Sequence, residues 1–198
     1  MSNQCNEEAI DIVILWVDGN DIYWREKKEE NRNQERMNVD SSDVRYRDYG
    51  ILKYLFRGIE EFAQWVNKVF FVTNGQIPPW RNTSAEQLVL VKHEDFIPDE
   101  FLPTFSANPI ELALHRIESL SEKFIYFNDD MFLLSPVSTS HFFLSGLPVM
   151  NPQIALTVPK VGYNQFAHLM LNNVMLIQKI IVIIKKMVFI MSHNIIPY

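Results

Sequence analysis

The sequence predicts an α/β fold, a mostly parallel sheet flanked by helices with its ligand site at the carboxyl ends of the strands. Two observations predict it. Short apolar runs rich in β-branched and aromatic residues alternate with stretches of helical periodicity. Each of four runs also stops in a polar turn: Asp18 and Asp21 after the first, Asn74 after the second, Glu94 and Asp95 after the third, and Asn128, Asp129 and Asp130 after the fourth. Parallel strands would gather these ends on one rim, where open α/β sheets bind their ligands.

The elements follow in order. Ala9 to Val17 (AIDIVILWV) is a β-branched run, the pattern of a strand covered on both faces. It ends in the turn Asp18-Gly19-Asn20-Asp21. Tyr23 to Met37, rich in Lys, Glu, Arg and Asn, reads as an exposed helix or a loop. Gly50 to Val66 is amphipathic, with Ile51, Leu52, Leu55, Phe56, Ile59, Phe62, Ala63 and Val66 at helical spacing. Val69 to Thr73 is a second strand, closed by Asn74-Gly75-Gln76 and a rigid Pro78-Pro79-Trp80 loop. Leu88 to Val91 is a third. Asn108-Pro109-Ile110-Glu111 reads as a helix start, with Asn as cap and Pro at the first helical position. Phe124 to Phe127 is the fourth strand.

Composition narrows the function classes. At 198 residues with 47% hydrophobic and 13% aromatic content, the chain is expected to fold around one core. A net charge of −6 argues against a general nucleic-acid binder. The lone Cys5 permits no internal disulfide and no cysteine zinc site. The start, MSNQCNEEAIDIV, has no basic region followed by an apolar core, so no secretory leader is expected and the expected location is cytoplasmic. No GxxxxGK[ST], GxGxxG or GxSxG motif is present.

The most informative stretch is Phe124-Ile125-Tyr126-Phe127-Asn128-Asp129-Asp130-Met131-Phe132. Two adjacent carboxylates between apolar flanks are costly without a compensating cation. A hard divalent metal, magnesium or manganese, takes such oxygen ligands. Asp129 and Asp130 are therefore the expected metal ligands, against the plainer reading of a strand-end turn facing solvent.

Other candidates divide between two readings each. Asp18 and Gly19 form either a bare Asp-Gly turn or part of a cofactor site, and Asn74 ends the next strand in the same way. Trp16 is either a core residue or a base-stacking one. Arg45 and Arg47 with Asp48 form either a solvated charge cluster or a phosphate clamp. His115, four residues after Glu111, is either a surface histidine paired with that glutamate or a general base oriented by it.

The block IDIVILWVDGNDIYW (Ile10 to Trp24) resembles the first conserved region of the Stealth proteins. The segments RYRDYGILKYLFRGIEEFAQWVNKVFFVTNGQIPPW, LPTFSANPIELALHRI and LSEKFIYFNDDMFLLSPV, between Arg45 and Val137, resemble their second. The family includes bacterial capsular polysaccharide phosphotransferases and the α/β subunit of the animal lysosomal-enzyme N-acetylglucosamine-1-phosphotransferase. The resemblance implies a Rossmann-like or GT-A-like sheet and transfer of a sugar-1-phosphate from a nucleotide-sugar, typically a UDP-sugar, to an acceptor hydroxyl. It implies catalytic roles for Asp18, Arg47, Asp48, His115 and Arg116, and donor contacts from Trp16, Asp18, Gly19, Arg45 and Asn74. Magnesium or manganese on Asp129 and Asp130 would bridge the donor's phosphates. The implied partners are the nucleotide-sugar and a polysaccharide or glycan acceptor, with no nucleic acid.

Residues 1–173 are expected to be the N-terminal part of the catalytic domain, and 174–198 a divergent tail. The likeness fades after Asn173, and the Ile/Lys/Asn-rich end reads as a truncated or frameshifted member of the family. His193 does not match the family's later histidine. Val174 to Met191 carries Gln178, Lys179, Lys185 and Lys186 near its middle, so a membrane span is not expected. Peripheral contact with anionic lipid on the inner membrane face, or a buried or mistranslated end, both stand. Two rival functions also stand: a metal-dependent glycosyltransferase, which attacks the anomeric carbon, and an inactive remnant that at most binds nucleotide-sugar.

Overall fold

A computed structural model describes residues 9–31, 46–80 and 85–149, together with Met175. All described elements fall in one compact unit, which runs over Met1–Gln34 and Ser41–Met150. The expected boundary at 173/174, the tail and His193 lie outside the described residues, as do Cys5 and Arg45.

The elements are β1 (Ile10–Leu15), α1 (Ile22–Glu30), α2 (Leu52–Phe62), β2 (Val69–Thr73), β3 (Leu88–Lys92), α3 (Ala107–Ala113), β4 (Lys123–Asn128) and a short β5–β6 hairpin (Phe143–Leu144, Leu147–Pro148). The main sheet has the order β3-β2-β1-β4 with every pairing parallel. It is the expected α/β architecture.

Alternation along the strands feeds two cores. Ile12, Ile14, Trp16, Phe71 and Phe127 point to one face, where they meet Leu52, Leu55 and Ile59 of α2. Val13, Phe70, Val72 and Val91 point to the other, where they meet Ile110 and Leu114 of α3 and its extension. Helices thus cover both faces, which is why β1 and β2 are apolar on both faces apart from Asp11 and Thr73.

Element ends differ from the sequence pattern for local reasons. Gly50, at φ +67°, lies before α2, which starts at Leu52. The predicted helix tail to Val66 stops at Phe62, and Ala63 and Val66 are buried in the loop beyond it. In α3 the cap is Ser106, not Asn108. The first turn of a helix leaves its N–H groups unused, so Pro109 is accommodated inside it. The helix then tightens into a 3₁₀ turn at Leu114–Arg116.

One buried carboxylate fastens the amino end of the sheet. Asp11 is 0% exposed. It accepts from Asn67 Nδ2 at 2.8 Å, Lys68 N at 3.1 Å and Ser121 N at 2.7 Å. Those donors sit on the segments that lead into β2 and β4, so a single side chain ties both neighbours to β1.

Candidate active site

The strand order places the rim. From β1 the chain moves outward to β2 and β3, then returns to β4 on the other side of β1. The order therefore reverses between β1 and β4, the kind of switch point at which open α/β sheets bind ligands. Leu15 pairs with Asn128, so Trp16 to Asp18 and Asp129 to Asp130 leave neighbouring strands side by side.

Each segment of the rim is held from below. Gln76, after β2, clips the Asp18 backbone on both sides: Asp18 N donates to Gln76 Oε1 at 2.8 Å, and Gln76 Nε2 donates to Asp18 O at 3.0 Å. Asp18 Oδ1 accepts from Asn20 N at 2.8 Å, and Asp21 caps α1 by accepting from Trp24 N at 2.9 Å. The chain after Asp130 runs over α2. Gly58 lets the Leu133 backbone approach, Val137 N donates to Phe62 O at 2.9 Å, and Trp65 Nε1 donates to Val137 O at 2.7 Å.

The loop carrying Asp48 is clamped onto the first turn. Gly19 N donates to Tyr46 O at 3.1 Å, and a Cβ on Gly19 would overlap the Tyr46 carbonyl. Trp24 packs on Tyr46 with ring centroids 4.9 Å apart and on Phe105 at 5.8 Å. Tyr46 Oη donates to Phe105 O at 3.0 Å. Gly19→Ala must push this loop away. We expect it to cost about 1–3 kcal/mol, the range for overpacking a close contact. Urea unfolding checks this, and an unchanged midpoint would show that the loop is not clamped there.

The result is an acidic rim. Asp129 is half-buried, and its carboxyl is held above the usual aspartate range, chiefly by burial and then by the charges of Asp130 and Asp48. Its own backbone N–H opposes the shift. Among the described residues no Lys, Arg or His forms an ion pair with Asp48, Asp129 or Asp130. No group of three or more His, Cys, Asp or Glu is placed to hold a metal among the described residues. Magnesium does not require one, because it is commonly held by one or two carboxylates with water and substrate phosphate completing the shell. The half-buried Asp129 carboxylate, with Asp130 next to it and neither paired to a cation among the described residues, fits such an ion.

Beneath this turn Tyr126 lies on the α3 face of β4. Its phenol oxygen is 2.7 Å from Asn128 Oδ1 and 3.1 Å from Glu111 Oε1. Burial, then the charge and hydrogen bond of Glu111, raise its pKa far above the ordinary tyrosine value, with Asp129 and Asp130 adding to the effect. Sequence reading passed over Tyr126. The available signal was its spacing of two from Asn128, which puts both on one face of a strand.

The other candidates are distributed unevenly. Asp48 joins the rim, and its Oδ1 accepts from Gly50 N at 2.7 Å. Arg47 is exposed on the same loop, 5.9 Å from the Tyr49 ring. Asn74 is exposed at the end of β2. Gly19 contributes its N–H to Tyr46, so the turn spends that donor inside the fold. Trp16 is 8% exposed and stacks on Phe71 at 5.7 Å, which makes it a core residue rather than a surface for a base. His115 and Arg116 are exposed and line a shallow pocket of about 270 Å³ with Phe101, Pro109 and Leu112. Neither bonds to the acidic turn, and Glu111 is turned to Tyr126 instead of His115. The 3₁₀ turn causes this, since it breaks the α-helical register that would stack the two residues. A larger pocket, about 850 Å³, lies between α2 and Phe132–Leu134. The rim carboxylates line neither of these pockets.

Comparison with known proteins adds family evidence. Residues 8–36 match the model of Stealth protein conserved region 1, and residues 45–149 match that of conserved region 2. The chain is 48% identical over 166 residues to a receptor polysaccharide phosphotransferase, WefC, of Streptococcus gordonii, covering 80% of this chain and 49% of that protein. It is 48% identical over 157 residues to a capsular polysaccharide phosphotransferase, WcwK, of Streptococcus pneumoniae, covering 76% and 46%. With the capsular polysaccharide phosphotransferase eps5J of Streptococcus thermophilus, identity is 42% over 172 residues, covering 86% and 71%. The chain spans about half the length of the first two relatives. The two matched regions supply the two sides of the rim: the first carries β1 and Asp18, and the second carries Asp48, Asp129 and Asp130.

Proposed function

Given that the chain belongs to the Stealth protein family, we propose that it transfers a sugar-1-phosphate from a nucleotide-sugar, a UDP-sugar, to a hydroxyl of a surface or capsular polysaccharide. The observation that carries the reading is the group of carboxylates at the β1/β4 switch point, inside the matched regions, without a paired cation among the described residues. A donor diphosphate brings more negative charge to this rim, so a divalent cation must come with it. Asp129 and Asp130 would hold magnesium or manganese. When bound, that ion supplies charge neutralisation for the two phosphates and the leaving group.

The reaction balances simply. The acceptor oxygen attacks the phosphorus nearer the sugar, and the bond from that phosphorus to the bridging oxygen breaks. Nucleoside monophosphate leaves, and a phosphodiester remains. The acceptor proton passes to a base. Asp48 is the described candidate that shares the rim with Asp129, whereas His115 lies in the pocket of Phe101 and Leu112. Arg47, beside Asp48, would offset charge on the phosphoryl oxygens. Catalysis of this kind is mainly positioning and charge neutralisation.

The expected setting is the cytoplasmic side of a bacterial membrane, where nucleotide-sugars are used. Among the described residues no helix is long and apolar enough to cross a membrane. Phosphorus NMR of the product tests the reaction. A phosphodiester resonance with release of UMP supports it. A phosphate-free glycoside with release of UDP would instead identify a glycosyltransferase, and donor binding without product an inactive remnant.

A further inference from the structure

We infer that Glu111, Tyr126 and Asn128 form a directed hydrogen-bond relay that makes Tyr126 a positioning residue for the acidic turn, fixing the Asn128 amide with its nitrogen on the phenol and its carbonyl oxygen facing away. The inference rests on the cation-dependent reading above and deepens it.

Proton supply sets the direction of the relay. The Tyr126 phenol has a single hydrogen. It lies 3.1 Å from the exposed Glu111 carboxylate, which can only accept, and 2.7 Å from the Asn128 side-chain amide. With the amide oxygen toward the phenol, two acceptors compete for one hydrogen. The contact that loses is then a repulsive approach of two oxygens. The two ends of an amide fill nearly the same volume, and exchanging them removes the conflict. Asn128 Nδ2 then donates to the phenol oxygen, and the phenol donates to Glu111. All three groups are satisfied, and every bond points the same way.

Surrounding charge favours this direction. Asp129 and Asp130 act on the phenol from the turn side and Glu111 from the helix side, and burial adds to them, so the phenol keeps its hydrogen. Strand alternation places Tyr126 and Asn128 on the α3 face of β4, so the relay joins the helix to the residue immediately before Asp129. The amide oxygen left at the far end is a neutral ligand of the type hard cations accept. Glu111 would therefore set the chemistry of the turn without touching it.

The test uses the full chain with amide ¹⁵N labelling and magnesium or manganese alone. In the wild type we expect the Asn128 side-chain amide to show one downfield, slowly exchanging hydrogen. Tyr126→Phe should abolish that signature. So should Glu111→Ala, which leaves Tyr126 and Asn128 intact but frees the phenol hydrogen to turn the amide round. Both variants should bind the ion about 10–100-fold more weakly by calorimetry, the usual effect of removing a group that orients a ligand. Glu111 is exposed, so its replacement leaves folding intact, and circular dichroism confirms that. An Asn128 amide signal unaffected by Glu111→Ala overturns the relay. Wild-type protein that binds neither ion, with the amide signature present, overturns the cation reading and leaves the relay standing.

Discussion

Replacing Asp129 with asparagine is expected to cut turnover by about 10²–10³-fold, the scale seen when one charge-stabilising group is lost from an active site. The same change is expected to raise the melting temperature at neutral pH. Both effects have one origin. Burial and the charges of Asp130 and Asp48 disfavour the ionised Asp129 carboxylate in the fold, and no cation among the described residues pairs with it. The sign follows from proton linkage. The folded-state pKa lies above the unfolded one, so between those values the folded chain binds more protons, and stability falls as pH rises. Above the folded value a constant penalty remains. Asparagine removes both slope and penalty. Melting curves across the acidic to neutral range, with and without magnesium, check this. Magnesium should stabilise the wild type more at neutral pH than at acid pH and should not stabilise the variant. A variant that melts lower at every pH while keeping its turnover would contradict the assignment.

Asp11→Ala is expected to destabilise the described fold strongly. It removes three hydrogen bonds and leaves the backbone N–H groups of Lys68 and Ser121 without their acceptor. Hydrogen bonds to a charged acceptor are worth about 1.5–3 kcal/mol each, and orphaned buried donors add their desolvation cost. A loss of about 3 kcal/mol or more is expected, a large part of the total for a domain of ordinary stability. Asp11→Asn should fall between. It can keep one oxygen for Asn67 and Lys68 but must face the Ser121 N–H with its own donor. Urea unfolding of the three proteins should give midpoints in the order wild type, Asn, Ala. Equal midpoints would show that the carboxylate does not tie β2 and β4 to β1.

The contrast between these aspartates shows what a linear pattern can carry. Asp129 was legible because its apolar flanks make a charge conspicuous, and because strands that end in acids suggest a rim. Asp11 was not, since its partners are 56 and 110 residues away and only the folded sheet brings them together. The apolar runs predicted the four strands of the main sheet, and the i, i+3, i+4 stripe predicted α2, because periodic burial is written locally. Strand order is not local. Nothing in the runs themselves says that β4 returns beside β1, which is what brings the Asp18 turn next to Asp129. Trp16 is the reverse case. Its place beside Asp18 allowed a base-stacking role as well as a core one, and alternation sends it inward against Phe71. His115 and Glu111 show how one tightened turn cancels a pairing that helical spacing predicts.

The most direct measurement is calorimetric titration of a UDP-sugar into the full chain and into Asp129→Asn, each with and without magnesium. Binding to the wild type should need magnesium, and binding to the variant should be weak under both conditions. Equal affinity for the donor in all four titrations would contradict this.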